Sequence, residues 1–437
     1  MNRPGEPASM SPVPMSSGER WDAVVVGAGP GGSIAALVLA RAGARVALVD
    51  KAVFPRAKAC GDLVGPRGVR VLEELGVSVP DAGHGADLLV VGPSGHRSRL
   101  PAFPGRSYAG HGIVVPRLAF DDALRSAAIA AGAQPVRARI SAVEQDPDGT
   151  VRALIAGDGR RFAADVVIGA DGALSPVAQL AGMLDSTAAL WGFAIRAYVP
   201  AEVPLPLLVL LDAERRRIFP GYGWLFPGAD GEANVGIGVG LGNQRQRAQL
   251  REELSRFCSM LRAAGDLAGD AQPGPVIGGW LRMGGTGTPP AAGNVLLVGD
   301  AAGLVNPLQG EGIAPAMLSA RLAALAVLAD PAHAGRLYTD AVSDTFGRYM
   351  PGAAALQGAL LRRPRAASAG VRLLTAPVVR HLAAGTWSLY WNGLVDGARP
   401  RPSAWAAGVV QGVAGRLAAR QPPIARQAPA AAAVAGR

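Results

Sequence analysis

Apolar and polar positions along the chain follow two periods, and their order predicts the architecture. Residues 21–26 form a short apolar run and residues 27–32 a glycine turn. Residues 33–42 follow an apolar helical pattern, and residues 44–49 are a second apolar run that ends at Asp50. This is the order of a β-α-β unit. Residues 89–104 and 112–115 read as strand and loop, and 117–131 as a helix. Residues 165–168 predict a buried strand that runs into Gly169, Asp171 and Gly172. Strands and turns dominate from 191 to 239. Residues 294–298 predict another buried strand, followed by Gly299-Asp300 and a long helix from about Gly312. After Tyr338 the pattern is helical, interrupted at Pro351, Pro364, Pro377 and Pro400. From Gln421 the Ala/Pro-rich composition predicts disorder.

At 437 residues the chain has the length for two domains or one large composite domain. Hydrophobic residues make up 49%, which raises the question of a membrane span. The best candidate, 313–328, carries Arg321 in its middle, so none is expected. The first 20 residues are rich in Pro, Ser and Met and lack an apolar core, which predicts a disordered leader and not a secretory signal. Two distant cysteines, Cys60 and Cys258, do not make a disulfide framework and suit a reducing cytoplasm. The five histidines include no H-x-x-H pair, so no metal centre is expected.

The net charge of +10 is unevenly placed. Between 361 and 437 there are eleven arginines against one acid, Asp396. Trp387, Tyr390, Trp391 and Trp405 lie among them. Such a segment suits peripheral contact with an anionic membrane face better than nucleic acid, because Trp and Tyr favour the lipid interface. A plain solvated helical face weighs equally.

Gly27-Ala-Gly29-Pro-Gly31-Gly32 has the G-x-G-x-x-G spacing between strand and helix. The first glycine permits the tight turn, the second lets backbone approach a pyrophosphate, and the third lets helix and strand pack closely. The helix N-terminus directs N–H groups at the phosphates. Asp50, at the end of the next strand, can hold a ribose hydroxyl. Gly299-Asp300-Ala-Ala-Gly303 follows a second buried strand, where a carboxylate can bind a ribityl hydroxyl. The helix after Gly312 can stabilise the anionic edge of a reduced flavin. Taken alone, Gly299-Asp300 reads as a plain strand-to-helix turn; taken with the first motif, it points to FAD, the cofactor that uses both.

Four further motifs carry a resemblance. They are Lys58-Ala-Cys60-Gly61-Asp62, Asp165–Ser175 with Asp171-Gly172 inside it, Pro220-Gly-Tyr222-Gly-Trp224-Leu-Phe226-Pro227, and Gly299–Ile313 with Asn306, Pro307, Gly310, Glu311 and Gly312. Together they resemble the geranylgeranyl reductase family of FAD-dependent oxidoreductases, within the p-hydroxybenzoate hydroxylase-like flavoproteins. Asn234-Val-Gly-Ile-Gly is most similar to the menaquinone reductase branch. The resemblance covers about 21–321 and implies flavin contacts at Gly31, Asp50, Cys60, Gly61, Arg117, Asp300, Gly312 and Ile313, beside Gly27, Gly29 and Gly32.

The expected fold is α/β: a discontinuous Rossmann-type FAD-binding domain, an inserted, mostly antiparallel β-sheet substrate domain, and a C-terminal helical segment. The expected boundaries are 1–20 leader, 21–185 and 286–330 FAD-binding domain, 186–285 substrate sheet, 331–420 basic helical segment and 421–437 tail, with 85–115 contributing to the substrate sheet. Side chains alternate faces in a strand. Tyr222, Trp224 and Phe226 therefore share one face, and Asn234, Gly236, Gly238 and Gly240 share a face of the return strand. Periodicity alone favours an aromatic core there; the family motif favours an apolar groove for an isoprenoid substrate. Cys60 is expected beside the flavin, with a nearby cation depressing its pKa. Cys60 and Tyr222 are the candidate proton donors.

The expected activity is saturation of isoprenoid C=C bonds. A monooxygenase or epoxidase on the same fold, and a non-catalytic flavin and lipid carrier, are the alternatives. A halogenase is disfavoured by the lack of W-x-W-x-I-P. No second G-x-G-x-x-G follows a strand and no C-x-x-C is present, so NADPH or a small redox protein must donate electrons transiently.

Overall fold

A computed structural model describes residues 20–80, 83–85, 87–92, 95–101, 111–210, 221–228, 231–240, 248–347 and 349–363, with a few single positions beyond. The leader up to residue 19, the tail from 421, and Trp387, Tyr390, Trp391 and Trp405 lie outside the described residues.

The first sheet is the Rossmann core. Five strands run parallel in the order Val295–Leu297, Arg161–Gly169, Arg20–Val26, Val46–Asp50, Gln134–Arg137. Ala291–Ala292 closes one edge, and the hairpin Ile140–Gln145/Val151–Ala156 pairs on Arg161–Gly169. The central strands are near-continuous Val, Ala, Ile and Leu because both of their faces are covered. Helix Pro30–Arg41 is buried almost throughout, packed between helices Ile313–Ala329 and Arg117–Ala130. Its Ala and Gly content permits that close approach.

The apolar 313–328 run is therefore a core helix, Ile313–Ala329. Its mid-helix charge, Arg321, pairs with Glu74 at 2.6 Å. Among the described residues no helix is long and apolar enough to cross a membrane.

The second sheet has seven strands in the order Ile277–Met283, Leu190–Pro200, Glu232–Gly240, Gly221–Pro227, Leu207–Leu210, Asp87–Val91, Arg97–Pro101. All neighbours are antiparallel except Leu207–Leu210 with Asp87–Val91. Helix Leu250–Ala263, which the sequence patterns above did not single out, covers one face. Its Phe257 ring lies where a Cβ on Gly223 would sit, 2.5 Å away. Leu225, Val235 and Ile237 join Leu250, Leu254 and Phe257 in the core on that side. The opposite face carries Tyr222, Trp224 and Phe226 and turns toward the Rossmann sheet.

Candidate active site

One cavity of about 580 Å³ runs between the two sheets. Its lining includes Gly27, Gly29, Gly31, Asp50, Cys60, Gly61, Arg117, Tyr222, Trp224, Phe226, Asp300, Gly312 and Ile313. Gly32 is the exception among the expected residues, and the geometry explains it. A Cβ on Gly32 would stand 1.7 Å from the Gly27 carbonyl oxygen, so this glycine serves the contact of the turn with the helix. Gly27 has φ +100° and a Cβ there would meet the Ala170 oxygen at 2.3 Å. Gly29 differs: a Cβ would meet only the guanidinium ends of Arg56 and Arg117, at 3.4 and 3.9 Å. Its surface is kept clear for something other than protein.

That cradle fits a pyrophosphate. Helix Pro30–Arg41 begins at Gly29 without a side-chain cap, which leaves its first N–H groups for a ligand. Asp121, fully buried, binds Arg117 through two bonds of 2.6 and 2.7 Å and also pairs with Arg56 at 3.2 Å. One carboxylate against two guanidiniums leaves positive charge facing the turn. Asp50 accepts from the Ala28 and Ala52 N–H groups, one on each oxygen, and each oxygen keeps a lone pair for a hydroxyl.

Asp300 lies in a 3-10 turn, Gly299–Ala302, pinned from behind by buried Arg282. The Arg282 guanidinium donates to the Asp300 carbonyl at 3.2 Å and to the Ala301 carbonyl. Burial lowers Arg282 to about 10, with Asp300 and Asp171 opposing. Burial raises the Asp300 carboxyl, and Lys58, Arg117 and Arg282 oppose that. Helix Ile313–Ala329 likewise starts uncapped at Gly312, against the cavity. Polar N–H groups at these two helix starts, with the carboxylates beside them, suit the pyrophosphate and the sugar hydroxyls of an FAD.

The far wall is apolar. Trp224 sits opposite Gly236 in the strand register, and a Cβ on Gly236 would fall 2.1 Å from its indole. Gly236 thus makes room for the ring, which lies flat on the sheet. Trp224 stacks on Phe226 at 6.2 Å and 29°, and tilts against Tyr222 at 5.9 Å. Leu208, Leu210 and Ala194 extend the surface. Trp224 is packed and cavity-lining at once: it is only 4% exposed, yet it lines the cavity.

The Cys60 loop is pressed onto this wall. A Cβ on Gly61 would be 3.0 Å from the Phe226 ring and 3.3 Å from Trp224 Nε1. Asp62, in the left-handed region at φ +63°, anchors the loop. Its carboxylate accepts from Tyr198 Oη at 2.6 Å, Asn234 Nδ2 at 2.7 Å and the Arg117 N–H at 3.3 Å. Asn234 also donates to the Cys60 carbonyl at 2.8 Å and accepts from Trp224 Nε1 at 2.9 Å. Asn234 therefore ties loop, indole and carboxylate together.

The expected acidity of Cys60 needs correction. The cation acting on Cys60 is Arg117, and it does not win. Burial, aided by the Asp62 charge, pushes the thiol above its ordinary value. Lys58 instead faces Asp300; burial, with help from Arg117 and Arg56, lowers its amine. Tyr222 donates its hydroxyl to the Gln309 carbonyl, and burial, with the Cys60 and Glu311 charges, raises it. Both candidate proton donors are thus weaker acids than their unburied forms.

Asp121, Arg282, Asp62, Asn234 and Glu311 were not assigned roles from the sequence. Arg117–Asp121 had a readable signal in its i,i+4 spacing. The others act across chain separations that no local pattern displays.

The FAD binding domain family profile matches residues 20–333. The chain is 37% identical over 322 residues to the menaquinone reductase of Mycolicibacterium smegmatis, covering 70% of this chain and 76% of that protein. It is 32% identical over 326 residues to the geranylgeranyl diphosphate reductase of Rhodobacter capsulatus, covering 71% and 75%. A solved geranylgeranyl bacteriochlorophyll reductase-like protein of Thermoplasma acidophilum shares the fold, with a TM-score of 0.67 at 24% identity over 83% of this chain and 92% of that one. A clear cradle, two uncapped helix starts and an apolar wall in one cavity agree with these matches, and the chain belongs to the FAD-binding family of menaquinone and geranylgeranyl reductases.

Proposed function

We propose that the protein is an FAD-dependent reductase that saturates C=C bonds in an isoprenoid chain, such as a menaquinone side chain or a geranylgeranyl group. The supporting observation is the continuity of the cavity, from the Gly29 and Asp300 ends to the Tyr222, Trp224 and Phe226 wall. A polyprenyl chain offers only apolar surface to bury, and that wall is what it needs. Gly27, Gly29, Gly31, Asp50, Arg117, Asp300, Gly312 and Ile313 would hold FAD, with Arg56 and Lys58 adding charge. Reduced FAD supplies the hydride when bound. The chain's own residues orient the alkene, keep water out and manage the proton. Cys60 and Gly61 hold the loop that narrows the cavity over the aromatic wall, bringing the reacting bond to one place.

NADPH or a small redox protein would reduce the flavin in a transient encounter. Contact with an anionic membrane face through the basic segment after 361, which lies almost wholly outside the described residues, would deliver the lipid. The test is anaerobic reaction of the reduced protein with menaquinone or geranylgeranyl diphosphate, followed by mass spectrometry. A gain of two hydrogens is expected. Gain of one oxygen in air would make it a monooxygenase, and an unchanged lipid would leave a carrier.

A further inference from the structure

Saturating a C=C bond needs a proton as well as a hydride, and the two acids already named are poorly placed to give one. Tyr222 commits its O–H to the Gln309 carbonyl, and burial holds the Cys60 thiol above its usual range. A carboxyl faces the same space. Glu311 lines the large cavity beside Tyr222, Gln309 and Gly310. Its Oε1 is buried with no hydrogen-bond partner among the described residues. The charges of Cys60 and Glu311 both act on the Tyr222 hydroxyl, which puts Tyr222 within electrostatic reach of each.

Glu311 has a second outlook. It also lines a small cavity of about 30 Å³, walled by Arg67, Asn306, Thr345, Tyr349 and Met350. That is room for a water molecule. Arg67 and Thr345 on its rim are part-exposed. Glu311 is the residue common to the two linings. The 306–311 loop that carries it is held closed. The Asn306 N–H donates to the Glu311 carbonyl at 2.8 Å, the Gly310 N–H donates to the Asn306 carbonyl at 2.8 Å, and Tyr349 Oη donates to Asn306 Oδ1 at 2.8 Å. A fixed acidic residue that lines both the reaction space and a water-sized cavity has the form of a proton relay.

We infer that Glu311 gives the proton to the alkene and is recharged from solvent through the small cavity. The inference rests on the reductase reading above. In each turn the π bond breaks, one carbon takes a hydride with its electron pair, and the other takes the Glu311 proton. The hydride and its electron pair would be supplied by bound reduced FAD, and Glu311 is left ionised. Bulk water returns the proton, and an external two-electron reductant restores the flavin. Burial pushes the Glu311 carboxyl up to about 7, with the Arg67 charge and the Gly65 backbone opposing. Arg67 faces it from helix Pro66–Leu75 and Tyr222 from the sheet. Thr345 and Tyr349, from the C-terminal part, bring no charge, and the first turn of Ile313–Ala329 holds no acid. An acid with a pKa near the working pH is well matched to this task.

The test uses full-length FAD-loaded protein, Glu311→Gln and Glu311→Asp. Anaerobic stopped-flow follows flavin reduction by dithionite and reoxidation by menaquinone or geranylgeranyl diphosphate. In Glu311→Gln the ratio of the lipid rate to the dithionite rate should fall by about 100-fold or more, with partial recovery in Glu311→Asp. In the wild type, lipid reoxidation should slow as pH rises through about 7. Infrared difference spectra should show a protonated carboxyl that titrates there and is missing from Glu311→Gln. An unchanged rate ratio overturns the proposal. So does a wild-type infrared titration with no carboxyl ionising between about pH 6 and 8, a result readable even if the variant does not fold. Failure of the reductase reading is seen separately, as wild-type reduced flavin that neither lipid reoxidises, and it takes the relay with it.

Discussion

The two ends of the cavity are built on opposite principles. At the Gly27–Gly32 end the cavity presents main chain: uncapped helix N–H groups, a turn stripped of side chains, and carboxylates at strand ends. At the Gly221–Gly240 end it uses side-chain rings laid on a glycine-thinned sheet. Glycine serves both ends, for different reasons. Gly29 leaves space for a ligand, Gly32 for the protein's own carbonyl, and Gly236 for an indole. The first end has little tolerance for any added atom. The second depends on a few large surfaces and on the hydrogen bonds that hold them in place.

The largest effect should come from the cradle. Gly29→Val should give a folded protein without FAD, because the new side chain meets only movable guanidinium ends but occupies the phosphate surface. Flavin absorbance of the purified variant should be near zero, with apoprotein melting close to wild type. A full flavin complement would break the distinction between the two ends.

Trp224→Ala tests the other end. Truncating a buried Trp costs about 3–5 kcal/mol, and Asn234 Oδ1 loses its indole partner. FAD should be retained and dithionite reduction should proceed, while reoxidation by menaquinone slows sharply. Equal loss in both half-reactions would return the ring to a purely structural role.

Glu311 makes stability depend on pH. Its folded value, about 7, lies above its ordinary 4.5, so the folded state holds the proton more tightly. That stabilisation is fully present below about 4.5 and is lost as pH rises through about 7. The loss is on the order of 3 kcal/mol. Apoprotein melting curves should show wild type weakening over this window and Glu311→Gln weakening less.

Asn234→Ala sharpens the comparison further. It removes bonds to Trp224, Asp62 and the Cys60 carbonyl at once. A cost of about 1–3 kcal/mol is expected, with lipid turnover falling more than FAD occupancy. Cys60→Ala should have the smallest effect: FAD stays bound and lipid turnover drops by a modest factor. Unchanged turnover at saturating lipid would make the thiol a spacer.

The local elements were legible in the sequence because their causes are local. Apolar runs set the Rossmann strands, the glycine spacing set the first turn, and alternation placed Tyr222, Trp224 and Phe226 on one face. Helix Leu250–Ala263 escaped notice, although it decides which sheet face is closed and which is left for the cavity. The Cys60 acidity was misjudged because sequence shows which charges are near in the chain but not how much water has been removed.

By itself, then, the sequence determined a dinucleotide-binding α/β fold, a flavin with two helix ends to receive it, and an aromatic strand. These follow from backbone geometry and residue periodicity, which operate over a few positions. Only the tertiary structure decided that Arg117 and Arg56 share Asp121, that Asn234 couples the Cys60 loop to Trp224, and that Glu311 stands between two cavities. Those facts depend on burial and on contacts between residues far apart in the chain, such as Asn234 and Cys60, separated by 174 positions. Desolvation is a property of the packed interior, and it sets the proton affinities of the site.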